Sequence, residues 1–245
     1  MQGVLYISHG TRLEQGRKEA VHFLESLKEQ VDAPLQEICF LEINTPTIAD
    51  GVDKLVARGA TAIAVVPVLL LRAKHDKEDI PQELKKVQQN HPAVTFTYGE
   101  PLGVQDRLID ILEERVLDKV DEVSSDAAVL LVGRGSREPS VKADIALIAD
   151  KLGKRVGRRV DIAFLAACEP SFDEMLTKAS EKKQSYIVVP YLWFNGLLLR
   201  SMQKQIDQLN QTGVLTMLCD QLGHHPNIKQ ALIDRANQAL QPART

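Results

Sequence analysis

Leu5-Tyr6-Ile7-Ser8-His9-Gly10-Thr11-Arg12 decides the fold, because it returns later as Leu130-Leu131-Val132-Gly133-Arg134-Gly135-Ser136-Arg137. Each stretch is a short apolar run that ends in a glycine turn. That is the signature of a strand covered on both faces and followed by a helix. Two more blocks recur in the same order. Phe40–Thr47 (FLEINTPT) returns as Phe164–Ser171 (FLAACEPS), and Val65–Arg72 (VVPVLLLR) as Val188–Asn195 (VVPYLWFN). Leu102-Gly103 matches Leu222-Gly223. The chain is a duplication.

The second copy lacks the titratable groups. Arg134 stands where His9 does, Ala166 where Glu42 does, and Leu197 and Leu198 lie in the region of His75. Retention of the glycine and the following arginine marks the turn as structural, and the histidine as separable from folding. One active site is expected, in the first copy. Two imidazoles and a carboxylate are a donor set for Fe²⁺ or Co²⁺, and the carboxylate could also take up protons.

Between these landmarks, strands alternate with helical spacing, which predicts right-handed crossovers and parallel sheets. In the first half, strands are expected at Gly3–Ser8, Ile38–Leu41, Ile63–Leu70 and Val94–Tyr98. Ala20, Phe23, Leu24, Leu27 and Val31 line the first helix. Thr45-Pro46 reads as the cap and first turn of the second, with Gly59 at its end. Pro81 opens the third, and Leu108–Val116 is the fourth. The second half repeats this order. The expected architecture is α/β, with two similar lobes, residues 1–120 and 126–245, each a four-stranded parallel sheet flanked by helices. Ligands of such sheets bind beyond the carboxyl ends of the strands. His9, Glu42 and His75 each follow a strand, and neighbouring strands lie roughly 5 Å apart, so the three can converge on one ion. The segment Arg72–Asp79 containing His75 reads as a charged loop.

Basic residues gather in the same loops: Arg12, Arg72, Lys74, Lys77, Arg134, Arg137 and Arg200. Guanidinium groups take carboxylates bidentately, so these loops suggest a cleft between the lobes for a polyanionic ligand. Trp193, Phe194 and Leu197–Leu199 offer an apolar wall suited to a flat ring. His224-His225 could be a second metal site, although adjacent side chains diverge and a polar cap is the simpler reading. His22 reads as structural, and His91 is assigned no role.

The 245 residues are 44% hydrophobic with a formal net charge of −3, so each half can bury a core and a nucleic-acid partner is not indicated. The start MQGVLYISHG carries no signal-peptide pattern and no apolar run spans a bilayer, so a cytoplasmic protein is expected. Three distant cysteines, Cys39, Cys168 and Cys219, read as reduced thiols.

Ser8–Arg12 (SHGTR), Phe40-Leu41-Glu42 followed by Pro46-Thr47, and Val65–Leu71 followed by His75 and Asp79-Ile80-Pro81 resemble the class II chelatases of the sirohydrochlorin group. The likeness covers nearly the whole chain and is greatest to the long, duplicated, iron-inserting form. It implies a chelatase-like fold and a lyase-type metal chelatase that inserts Fe²⁺ into sirohydrochlorin to give sirohaem. The alternatives are cobalt insertion in the cobalamin pathway and a non-catalytic carrier of tetrapyrrole or metal. It also implies that His9 and His75 handle the metal, with Glu42 nearby. No permanently bound cofactor is expected: Fe²⁺, or Co²⁺, is substrate alongside the tetrapyrrole. No membrane partner is expected, and a monomer is, because the second repeat can replace a partner subunit. Some relatives carry a histidine-rich or cysteine-bearing tail, whereas this chain ends at QPART.

Overall fold

The computed structural model describes residues 1–194 and 196–241. Asn195, which closes the second VVP block, and residues 242–245 of the QPART end lie outside them.

The first sheet holds β1 (Gln2–Ser8), β2 (Leu35–Phe40), β3 (Ala62–Val68) and β4 (Thr95–Tyr98), ordered β2-β1-β3-β4. The second holds β5 (Ala128–Gly133), β6 (Val160–Phe164), β7 (Tyr186–Tyr191) and β8 (Thr216–Leu218), ordered β6-β5-β7-β8. Every pairing is parallel. The central strands are buried almost throughout, as the unbroken apolar runs required. The expected pair of four-stranded parallel α/β lobes is what the chain forms.

The helices are α1 (Glu14–Leu27), α2 (Ile48–Ala57), α3 (Ile80–Asn90), α4 (Asp106–Leu117), α5 (Pro139–Val156), α6 (Phe172–Lys182), α7 (Leu197–Asn210) and α8 (Pro226–Leu240). One core joins Leu5, Ile7, Val65, Ile48, Val52 and Leu55 with Ile80 and Leu84; its counterpart joins Leu130, Val132, Val188, Phe172 and Leu176 with Met202 and Ile206.

The compact units differ from the sequence repeats by one helix each. Unit 1 is Met1–Gly103 with the chain from Ile228 onward, and unit 2 is Val104–Asn227. The fourth helix of each repeat therefore serves the other sheet's unit. In unit 1, Thr97 Oγ1 donates to the Ala239 carbonyl at 2.7 Å and Arg235 to the Leu102 carbonyl at 2.9 Å. In unit 2, Lys151 on α5 meets Asp106 on α4 at 2.9 Å, and Asn227 Nδ2 donates to the Arg107 carbonyl at 3.1 Å. Periodicity shows where a helix lies but not which sheet it covers.

Several boundaries differ from the expected ones for physical reasons. Thr45-Pro46 is not the start of α2. Its peptide bond is cis, and Thr47 is the cap, accepting from Asp50 N at 3.2 Å while Asp50 Oδ2 accepts from Thr47 N at 2.8 Å. The reciprocal pair Thr47-x-x-Asp50 satisfies two otherwise orphaned donors, and Ser171–Glu174 repeats it. We expect Thr47→Ala to lower unfolding free energy by about 1 kcal/mol, read from denaturant midpoints. β3 is shorter than its apolar run because the carbonyls of Leu69 and Leu70 accept from Leu102 and Gly103 in a loop. Leu222 and Gly223 do the same for Leu192 and Trp193. Gly59 adopts φ +90° past the end of α2, as expected.

Candidate metal site at the first sheet edge

Register brings the site residues level. Ser8 at the end of β1 pairs with Phe40 of β2 and Val68 of β3. With β1 central, the carboxyl ends of all three strands are adjacent, at the edge where open parallel sheets bind ligands. The ladder continues past the strands: Leu41 N donates to the Ser8 carbonyl at 2.9 Å and Glu42 N to the His9 carbonyl at 3.1 Å. Glu42 is thereby held beside His9, with its side chain exposed.

His75 reaches the same place from β3. The His9 and His75 ring centroids are 4.4 Å apart, with planes inclined by 39°. One ligand atom each from Glu42, His75 and Asp79 lies within 4.8 Å of the others. His75 Nδ1 is 2.8 Å from Asp79 Oδ2. A carboxylate on Nδ1 fixes the ring and its tautomer and leaves Nε2 for a metal. The arrangement offers imidazole and carboxylate donors in a partly open setting, which suits a divalent transition ion that must arrive and leave.

The segment expected to be a charged loop is helical. His75–Asp79 forms a π-turn that runs into α3, closed by Ile80 N donating to the His75 carbonyl. Such turns insert one extra residue and re-aim side chains, frequently at functional sites. Here the turn is secured from inside by Asp76, which is only 4% exposed. Tyr98 Oη donates to Asp76 Oδ1 at 3.0 Å, and Arg72 Nε lies 3.1 Å from Oδ2. Burial pushes the Asp76 carboxyl above the usual aspartate range, against the opposing pull of the Tyr98 hydroxyl and Arg72. Burial, followed by the Asp76 charge, pushes the Tyr98 phenol up.

This network changes the reading of Arg72. Its guanidinium is engaged by Asp76 and also by Glu100, so it stabilises the turn. Lys74 lies 3.9 Å from Asp79 and is exposed, as are Arg12 and Lys77. Sequence reasoning misses Asp79 because the run reads as solvated loop. The available signal is its spacing, since a carboxylate four residues after a histidine meets it on any helical turn.

Gly10 makes the turn possible. It sits at φ +97°, and a Cβ there would lie 2.1 Å from the Glu42 carbonyl oxygen. Thr11 N donates to Asn44 Oδ1 at 2.7 Å, binding the two loops together.

Unit 2 keeps this scaffold without the donors. Leu165 N and Ala166 N donate to the Gly133 and Arg134 carbonyls at 3.1 and 3.0 Å, and Gly135 has φ +88°. Arg134, Arg137 and Arg200 are all exposed. Trp193 is buried and stacks on Phe194 at 5.4 Å, so it belongs to packing, whereas Leu197 and Leu198 of the expected apolar wall are exposed. His224 and His225 diverge. The first meets Phe194 edge-on at 6.3 Å; the second accepts from Asn227 N at 3.1 Å through Nδ1 and lies 3.2 Å from Glu114 through Nε2. His225 is therefore a polar cap at the start of α8. His91 pairs with Asp53 at 2.7 Å and His22 is exposed on α1, both away from the sheet-edge cluster in sequence and element. No helix among the described residues is long and apolar enough to cross a membrane.

Comparison with known proteins bears on the family and the fold. The CbiX family model matches twice, at residues 3–119 and 128–239. A sirohydrochlorin ferrochelatase of Priestia megaterium is 43% identical over 243 residues, covering 98% of this chain and 91% of the relative. A sirohydrochlorin cobaltochelatase from the same organism is 29% identical, covering 98% and 81%. The structure of SirB from Bacillus subtilis with Fe3+ superposes with a TM-score of 0.86 at 37% identity, covering 97% of this chain and 95% of that one. Two matched repeats and near-full-length similarity leave one assignment: the chain belongs to the CbiX family.

Proposed function

We propose that this protein inserts Fe²⁺ into sirohydrochlorin, giving sirohaem. The observation that carries the proposal is the approach of His9 and His75 to 4.4 Å at a sheet edge that also holds Glu42 and Asp79. His9, His75 and Glu42 hold the ion. Asp79, behind Nδ1 of His75, keeps the ring aimed and balances part of the charge of the bound cation. Metal entry into the macrocycle expels its inner N–H protons. Glu42, exposed and next to the donors, accepts them and passes them to water. Arg12 and Lys74, both exposed, are carboxylate partners in unit 1, and Arg134, Arg137 and Arg200 are proposed as further ones. Arg72 is retained as a substrate contact only through the exposed edge that its two carboxylate partners leave. The reaction runs in the cytoplasm on a monomer. Iron is favoured over cobalt because the ferrochelatase relative shares 43% of its residues and the cobaltochelatase 29%.

The deciding assay supplies a small amount of protein with anaerobic Fe²⁺ and excess sirohydrochlorin, and follows the change in absorbance. Many products per protein are expected, faster with Fe²⁺ than with Co²⁺. A single stoichiometric burst would instead identify a carrier.

Asp79→Asn keeps the side-chain shape but removes the charge behind His75. We expect metal affinity to fall by about 10–100-fold, measured by titration of the ring-free protein with Co²⁺. An unchanged affinity would remove Asp79 from the site.

A further inference from the structure

We infer that Ile43 is a docking residue for the apolar face of the macrocycle, an assignment that rests on the proposed function. Ile43 combines two features that folding alone does not favour. Its φ is +68°, and Asn44 N donates to the Glu42 carbonyl across it at 2.7 Å. This is the γ-turn of positive φ, a rare and strained form, and a β-branched residue there is an outlier. The residue is also 58% exposed, so packing in the free protein does little to offset the strain.

The turn itself has a reason. The Glu42 carbonyl passes so close to Gly10 that a Cβ would meet it at 2.1 Å, and Asn44 must reach back to Thr11 N. Unit 2 makes the corresponding bend with Ala167 at φ +59°. The left-handed bend is thus scaffold, common to both repeats. The large apolar side chain on it occurs only in the repeat that carries the metal donors. Glycine or asparagine would occupy the position with less strain, so the isoleucine contributes in the ligand-bound state.

The chemistry of the occupant follows from the neighbours. Ile43 adjoins Glu42, whose ligand atom lies within 4.8 Å of those of His75 and Asp79. A ring that receives the ion from these donors must lie over them. Aliphatic carbon beside the donors meets the ring's apolar face, while its rim carboxylates are left for cations.

The test measures KM for sirohydrochlorin at saturating Fe²⁺, with Co²⁺ affinity of the ring-free protein and melting temperature alongside. Ala167 shows that alanine is accommodated at positive φ in the matching position, so Ile43→Ala should keep the backbone conformation. We expect KM to rise about tenfold, because the carbons beyond Cβ no longer cover the ring, with kcat and Co²⁺ affinity within about twofold. Ile43→Leu, apolar but not β-branched, should keep a wild-type KM and melt higher. An unchanged KM in Ile43→Ala overturns the inference. So does a rise of equal size in Ile43→Leu, or a KM rise that tracks a fall in Co²⁺ affinity, since both would report a disturbed turn. A wild-type protein that neither binds nor metallates sirohydrochlorin would overturn the proposed function itself, a distinct result.

Discussion

His9→Ala should abolish metal insertion while leaving the fold intact. The structural half of this expectation comes from the second repeat. Arg134 occupies the position of His9, yet the ladder beyond the strand is the same: Ala166 N to the Arg134 carbonyl at 3.0 Å, against Glu42 N to the His9 carbonyl at 3.1 Å. The same backbone ladder forms in the second repeat without an imidazole, so unfolding free energy should fall by only about 1 kcal/mol. The chemical half comes from the donor set. Losing an outer partner of a metal ligand weakens a site roughly 10–100-fold, and losing a ligand itself should exceed this, so insertion should drop by more than about 100-fold. His75→Ala should match it, because the two ring centroids lie 4.4 Å apart, near enough for both imidazoles to serve one ion as proposed. His91→Ala, which removes a ring paired with Asp53, is the control. A fully active His9→Ala protein would refute the assignment. Affinity in the wild type should also fall on acidification, since metal competes with protons for imidazole nitrogen.

The parts of this site that can be read in the sequence are those dictated by strand ends. Apolar runs without alternation identify buried parallel strands, and the residue following each run has to lie at one sheet edge. His9 and Glu42 are of this kind, fixed within two residues of Ser8 and Phe40 by the pairing of β1 with β2. His75 lies seven residues beyond Val68, and its approach to His9 depends on a buried Asp76 held by Tyr98 and Arg72. Nothing in the one-dimensional pattern marks an aspartate in a charged run as 4% exposed, so the π-turn, Asp79 and the internal role of Arg72 are all hidden together. The exchange of fourth helices is hidden for a related reason. Leu108, Ile109, Ile111 and Leu112 are buried as their spacing requires, but an apolar stripe fits either sheet. Thr45-Pro46 misleads because a proline suggests a helix start, whereas the reciprocal hydrogen bonds of Thr47 and Asp50 set the boundary just beyond it.

Replacing Gly10 should damage stability and metal binding together, and comparison with Gly135 separates the two. Gly10→Ala forces a side chain to φ +97° with its Cβ 2.1 Å from the Glu42 carbonyl oxygen. A residue held in this backbone region costs about 1–3 kcal/mol, and moving the Glu42 carbonyl adds to that. We expect a total near 3 kcal/mol, or a melting temperature lower by roughly 6–12 °C. Gly135→Ala meets an equivalent obstacle, φ +88° with the Cβ 1.8 Å from the Ala166 carbonyl oxygen, and should destabilise by a similar amount. The consequences for metal differ. Relief of the clash at Gly10 shifts Glu42 away from His9 and His75, so Co²⁺ affinity of the folded protein should fall by at least about tenfold. The clash at Gly135 displaces Ala166, which has no donor atom in its side chain, and the affinity should remain that of the wild type. Equal losses of affinity in both variants would mean that the first sheet edge does not hold the ion alone. Equal retention would mean that Glu42 contributes nothing to holding it. Only a difference between two glycines in nearly identical turns fits a duplicated scaffold in which one copy carries the chemistry.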